Sequence, residues 1–169
     1  MTVAELNGLE RAAAMDAFTA CLAAPAWVTC MVAARPFASR DDVLGAAESA
    51  ARDLPAAEWE RAIAHHPRIG EPPAAAATAA RADAWSTGEQ AGVRDADDLT
   101  VAALAGANAA YERRFGHTFI MCATGKSAAD VLAALTARLG HDAAAERRVT
   151  TGELRQITLL RVAKLVDDA

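Results

Sequence analysis

Aromatic residues are scarce, cysteines are few and odd in number, and no apolar run approaches the ~20 residues of a membrane span without a charge, Pro or Gly. The three cysteines, Cys21, Cys30 and Cys122, show no CxxC spacing, which argues against a disulfide framework and a zinc site. They read as small buried hydrophobes in a reducing cytoplasm. A basic excess is missing too: 17 Lys and Arg face 22 Asp and Glu, and a net charge of −5 with no basic stripe makes a nucleic-acid backbone an unsuitable partner. The opening residues carry Glu5 and Glu10 and lack the basic segment and apolar core of a signal peptide, so a cytoplasmic protein with no membrane partner is expected. Long β-branched runs are absent as well. Alanine is abundant instead, and favours helix. At 169 residues the chain suits a single domain over 1–169, large enough to bury a core without metal or disulfides.

Every firm periodicity is helical. Asn7 is placed to cap a helix carrying Leu9, Ala13, Phe18 and Leu22. Pro25 suits the first turn of a second, through Trp27 and Met31, which ends at Arg35-Pro36. Ser39, followed by Asp41 and Asp42, caps a third with Val43, Leu44 and Ala47. Pro55 opens a fourth through Trp59 and Ile63, which runs to His66-Pro67. Gly70, Pro72 and Pro73 mark a loop, the alanine run 74–84 is expected to be helical, and Ser86 begins a further element interrupted near Gly92. Leu99 to Phe115 forms a helix with Gly116 as its terminator. His117 to Ala123 is expected to be extended, with Phe119 and either Ile120 or Met121 turned inward. Ser127 to Asp130 caps the next helix and Asp142 the last, whose core face takes Leu154, Ile157, Leu165 and either Leu160 or Arg161, with a bend allowed near Gly152. The expected fold is all-α, a single compact multi-helix domain.

Two polar clusters interrupt the apolar pattern: His65-His66-Pro67-Arg68-Ile69-Gly70-Glu71, and Trp85-Ser86-Thr87-Gly88-Glu89-Gln90. Placed at the last helical position before a proline, His66 would be turned outward and favoured as imidazolium by the helix dipole, a ready proton donor near neutral pH. The plain alternative is an ordinary helix-terminal cation, and His65 competes, pointing ~100° away on a helix. Ser86 and Glu89 match a capping box. They equally suit a pocket at a helix N-terminus, with Gly88 allowing close approach of a ligand. Gly125-Lys126-Ser127 is no P-loop, because the first glycine of that motif would fall at Ile120. His117 and His141 read as surface residues, and Glu153 as part of a solvated helix face. Arg161, between Leu160 and Val162, could turn its planar fork to a carboxylate; Arg155 is the competitor. There is no Ser-His-Asp order, HExxH motif or dinucleotide glycine pattern.

In order, the motifs run Trp59 to Glu71, Trp85 to Gly92, Asn108-x-x-Tyr111-x-x-Arg114-Phe115-Gly116-x-x-Phe119-Ile120, and Glu153-Leu154-x-x-Ile157-x-x-x-Arg161, with Arg35-Pro36-Phe37 upstream. From Leu6 to Val166 this order resembles the 2-oxo-4-hydroxy-4-carboxy-5-ureidoimidazoline decarboxylases of uric acid breakdown. The resemblance implies an all-α, cofactor-free and metal-free enzyme acting on a small molecule, commonly as a homodimer. It makes His66, not His65, the proton carrier, with Glu89 as its catalytic partner. It assigns substrate contacts to Pro67, to Ser86, Thr87, Gly88 and Gln90, to the backbone of Phe119, Ile120, Met121, Cys122 and Ala123, and to Arg161. Two other readings stand beside it. One is a helical ligand-binding module of the same fold without chemistry. The other is a metal-dependent hydrolase using His65, His66 and Glu89, which ranks last because adjacent histidines on a regular helix cannot both face one metal.

Overall fold

The computed structural model describes residues 1–69, 85, 88–89 and 97–166. Among them every regular element is an α-helix and no strand occurs, so the all-α expectation holds. The described residues divide between two compact units, Met1–His65 with Arg155–Ala169, and His66–Leu154. The expected alanine helix at 74–84, the loop at Gly70 to Pro73 and the break near Gly92 lie outside the described residues.

The first unit holds α1 (Val3–Gly8), α2 (Arg11–Cys21), α3 (Pro25–Ala33), α4 (Arg40–Arg52), α5 (Ala56–Ala64) and the later part of α8 (Ala143–Leu165). Asn7 is not the N-cap expected. Thr2 caps the short α1 instead, its hydroxyl accepting from the Glu5 amide at 3.1 Å while the Glu5 carboxylate accepts from the Thr2 amide at 2.7 Å. Asn7 sits within α1 and clasps a distant peptide in both directions. Its Nδ2 donates to the Phe37 carbonyl at 2.8 Å and its Oδ1 accepts from the Phe37 amide at 2.9 Å. That double bond uses both ends of the amide, which a local cap would not. Arg35 donates to the carbonyls of Leu6 and Leu9 at 3.0 and 2.7 Å, satisfying the open end of α1. The Arg35-Pro36-Phe37 stretch is thus structural, a splice between α1 and the segment after α3. Asn7→Ala strips both Phe37 groups of their partner and should cost about 1–3 kcal/mol. Chemical denaturation measures this, and Asn7→Asp, which keeps only the acceptor, should fall between.

Pro25 occupies the first turn of α3 and Ser39 caps α4, both as the sequence indicates. Trp27 is fully buried, edge-on to Phe18, and its indole N–H donates to the Ala47 carbonyl at 3.1 Å, which ties α3 to α4. On α8, Leu154, Ile157, Arg161 and Leu165 are buried while Leu160 is 38% exposed, so Arg161 and not Leu160 takes the core face. Arg155 pairs with Glu48 at 2.6 Å on the surface. The helix runs unbroken through Gly152.

The second unit holds α6 (Asp98–Phe115), α7 (Ala128–Arg138) and the start of α8. Asp97 caps α6 through the Leu99 and Thr100 amides, and Gly116 ends it at φ 75°, the left-handed conformation only glycine adopts cheaply. Ser127 and Asp130 form a capping box on α7, and Asp142 accepts from the Ala145 amide at the start of α8. The core gathers Ile69, Leu104, Tyr111, Phe119, Ala123, Ala128, Val131 and Leu135. The 117–123 segment is irregular and not a strand. Phe119 and Ile120 are both fully buried while Met121 is half-buried, so of the two alternatives Ile120 turns inward with Phe119. Of the three cysteines only Cys21 is buried; Cys122 is half-buried and Cys30 exposed, a correction to the expectation for all three. No helix among the described residues is long and apolar enough to cross a membrane.

Candidate active site

The two adjacent histidines have different tasks, and the helix ends earlier than the sequence suggests. α5 stops at Ala64 and His65 is its C-cap, with ring Nδ1 2.8 Å from the Arg61 carbonyl one turn back. His65 therefore takes the helix-terminal place expected of His66. His66 lies beyond the helix in a bend and is half-buried, as is Pro67. The reason is local: a residue before proline is pushed from α geometry, and the helix yields two residues ahead of it.

Beyond His66 the chain is pinned to α6. Arg68 grips Glu112 with two parallel bonds, 2.5 and 2.7 Å, in the planar fork that arginine favours. Asn108 donates to the Ile69 carbonyl at 3.3 Å, and Ile69 itself is in the core beside Phe119 and Ala123. The motif residues Arg68, Ile69 and Asn108 thereby fix the backbone that leaves His66.

Trp85, Gly88 and Glu89 are helical, with Glu89 only 8% exposed, an acid held almost out of water. Its neighbours Ser86, Thr87 and Gln90 lie outside the described residues, and with them the Ser86–Glu89 capping box. Among the described residues, a Cβ at Gly88 would meet nothing within 4 Å. Burial pushes the Cys122 thiol up, and the negative charges of Glu153 and Glu89 add to this against the Thr124 backbone and Lys126. The thiol is thus kept neutral. Three of the expected segments fall within one unit, His66–Leu154: His66, Glu89 and the 119–123 strip, of which Phe119 and Ala123 join its core with Ile69. Arg161 is 4% exposed on α8 in the first unit.

Sequence reasoning missed the polar cluster that holds this strip. Arg138, 6% exposed, donates from Nη1 to the Ile120 carbonyl at 2.8 Å, from Nε and Nη2 to Glu146 Oε1 at 2.8 and 2.5 Å, and from Nη2 to Thr150 at 3.0 Å. The Tyr111 hydroxyl donates to the same Glu146 oxygen, and Glu146 Oε2 lies 2.7 Å from His141 Nδ1. The Arg138 guanidinium also sits 4.5 Å from the centre of the Phe119 ring. His141 is therefore no plain surface residue, and neither is His117, whose ring meets Tyr111 edge-on at 5.5 Å. The signal was available only in part. Arg138 in the last turn of α7 and Glu146 in the first turn of α8 each suit the dipole of their own helix, which explains both as surface charges. That they face each other depends on the turn between the helices.

Burial raises the Glu146 carboxyl, but bonds from Arg138 and Tyr111 and the Arg138 charge outweigh it and hold the group below the usual carboxylate range. Burial and the bond to Glu146 push Tyr111 up to about 12. The signs follow from linkage. Glu146 contributes stability that is present above its unfolded pKa and lost as pH falls through its lowered folded value. Tyr111 contributes stability present below its unfolded value of about 10 and lost as pH rises towards 12. Urea titrations at stepped pH should show the alkaline loss between these limits, and Tyr111→Phe should flatten it.

A protein-family model described as OHCU decarboxylase matches residues 7–163. The chain is 31% identical over 133 residues, 78% of its own length and 75% of the relative's, to the 2-oxo-4-hydroxy-4-carboxy-5-ureidoimidazoline decarboxylase of Amia calva. It is 26% identical over 153 residues to the uric acid degradation bifunctional protein TTL of Arabidopsis thaliana, covering 90% of this chain but only about half, 47%, of that protein. Among solved structures it matches an OHCU decarboxylase crystallised in the presence of (S)-allantoin, with TM-score 0.76, 25% identity, and 90% and 99% of the two chains covered. An (S)-allantoin synthase shares the fold at TM-score 0.72 and 16% identity, with 99% of this chain and 55% of that one covered. By this family match and these relatives, and with its all-α architecture, this chain belongs to the OHCU decarboxylase family, the lyases of uric acid degradation.

Proposed function

We propose that the chain decarboxylates 2-oxo-4-hydroxy-4-carboxy-5-ureidoimidazoline to (S)-allantoin without a cofactor, with His66 carrying the proton. The substrate bears its carboxylate on a hydroxylated carbon beside a ring C=N. When the bond to CO₂ breaks, its electron pair moves towards that imine, so the substrate supplies its own electron sink. One proton is taken up overall, and delivery to one face makes a single enantiomer. A positioned acid–base group of this kind is worth about 10²–10⁴ in rate.

One observation carries this reading most strongly. Glu89 is only 8% exposed, an acid sheltered from water in the same unit that holds the half-buried His66. Glu89 in so dry a setting is suited to orient a polar substrate or the histidine. Pro67, Ser86, Thr87, Gly88 and Gln90 contribute contacts beside these two, and the backbone of Phe119 to Ala123 contributes more. Arg161, buried on α8, is the residue proposed for a carboxylate, by the planar fork of its guanidinium. The similar decarboxylase solved in the presence of (S)-allantoin supports the product. The family match across both units supports one catalytic domain over residues 1–169. A cytoplasmic homodimer completes the reading, and sedimentation at working concentration tests the dimer.

The activity itself is tested by supplying freshly made urate oxidation product and following allantoin chirality by circular dichroism, with and without chelator. Acceleration over the spontaneous decay, with one sign of dichroism and no chelator effect, is expected. No acceleration would point to a binding module, and loss with chelator to a metal enzyme.

A further inference from the structure

We infer that Glu153 is a positioning residue for the Phe119–Ala123 strip, acting through the Cys122 amide; this rests on the decarboxylase reading, in which the strip touches substrate. The strip has no strand partner among the described residues, so its buried peptide groups need other partners. The protein supplies them at separated points. The Ile120 carbonyl goes to Arg138 at 2.8 Å, the Cys122 amide to Glu153 Oε2 at 2.8 Å, and the Ala123 carbonyl to the Lys126 amide at 3.0 Å.

Two of these anchors trace to one face of α8. Glu146, Thr150 and Glu153 are spaced i, i+4 and i+7 and share a side of the helix. Glu146 and Thr150 grip Arg138, which holds Ile120, while Glu153 holds Cys122 directly. Met121 lies between the two fixed points, so the planar peptides on either side of it are set in direction. The Glu153 bond is charge-assisted and among the stronger kinds. Glu153 is half-buried, unlike Arg138, so replacing it does not empty the core.

The test compares wild type, Glu153→Ala and Glu153→Gln by amide hydrogen exchange at Cys122 and by KM and kcat for decarboxylation. Glutamine keeps an acceptor for the Cys122 amide without the charge; alanine keeps neither. Alanine should speed exchange at Cys122 and raise KM about tenfold with kcat within about threefold, while glutamine, which keeps a weaker neutral acceptor, falls between wild type and alanine in both. Unchanged exchange in the alanine variant, or glutamine as damaging as alanine, overturns the inference. Faster exchange with KM and kcat both unchanged overturns its substrate clause. A wild type without activity, but with the exchange pattern as expected, sinks the decarboxylase reading while supporting the grip of Glu153 on the strip.

Discussion

Replacing His66 with alanine should lower the enzymatic acceleration of decarboxylation by about 10²–10⁴, the full worth of a positioned acid–base group, while His65→Ala should keep most of it. The two residues are neighbours in sequence and separate in duty. His65 caps α5 with its ring against the Arg61 carbonyl, so its loss costs a cap and little else. His66 lies outside the helix, half-buried, on a backbone fixed by the Arg68–Glu112 fork and the Asn108–Ile69 bond. Its removal should leave the melting temperature close to wild type, which separates a chemical loss from an unfolded protein. Stopped-flow dichroism on the two variants decides between them. Equal losses would refute the assignment.

Arg138→Met should be the most destabilising single change in the second unit, by about 3–5 kcal/mol, because it leaves the Glu146 charge buried without its guanidinium partner, with only Tyr111 and His141 beside it. That is a large share of the ~5–15 kcal/mol that holds a typical domain folded. The substitution conserves much of the side-chain volume, so the loss is electrostatic more than steric. Adding Glu146→Gln to Arg138→Met should recover part of it, since the stranded charge is then gone. Urea unfolding of the two single variants and the double variant closes the cycle. Strictly additive losses would show that the pair is not coupled as the 2.5 Å contact indicates.

The helices were legible where one residue type settles the geometry. Pro25, Ser39, Ser127, Asp142 and Gly116 each act at the helix end their chemistry predicts. Legibility failed where a side chain serves a partner far along the chain. Asn7 has cap chemistry but spends it on Phe37, and Glu153 has the look of a solvated charge but accepts the Cys122 amide. The 117–123 strip reads as an extended segment, but the sequence does not show that its peptide groups are taken by side chains and a turn. For the site, the motif order singled out segments that hold a half-buried His66 and the buried Glu89 and Arg161. The polar cluster around Arg138 was invisible because its members lie on four segments, each with an adequate local explanation.

The most direct measurement is a crystal structure of this chain grown with (S)-allantoin. The ring of His66 and the carboxylate of Glu89 should both stand within hydrogen-bond reach of the bound molecule, which should also touch the peptide groups of Phe119 to Ala123. Allantoin bound elsewhere, or bound with the His66 ring turned away from it, would contradict the proposed chemistry.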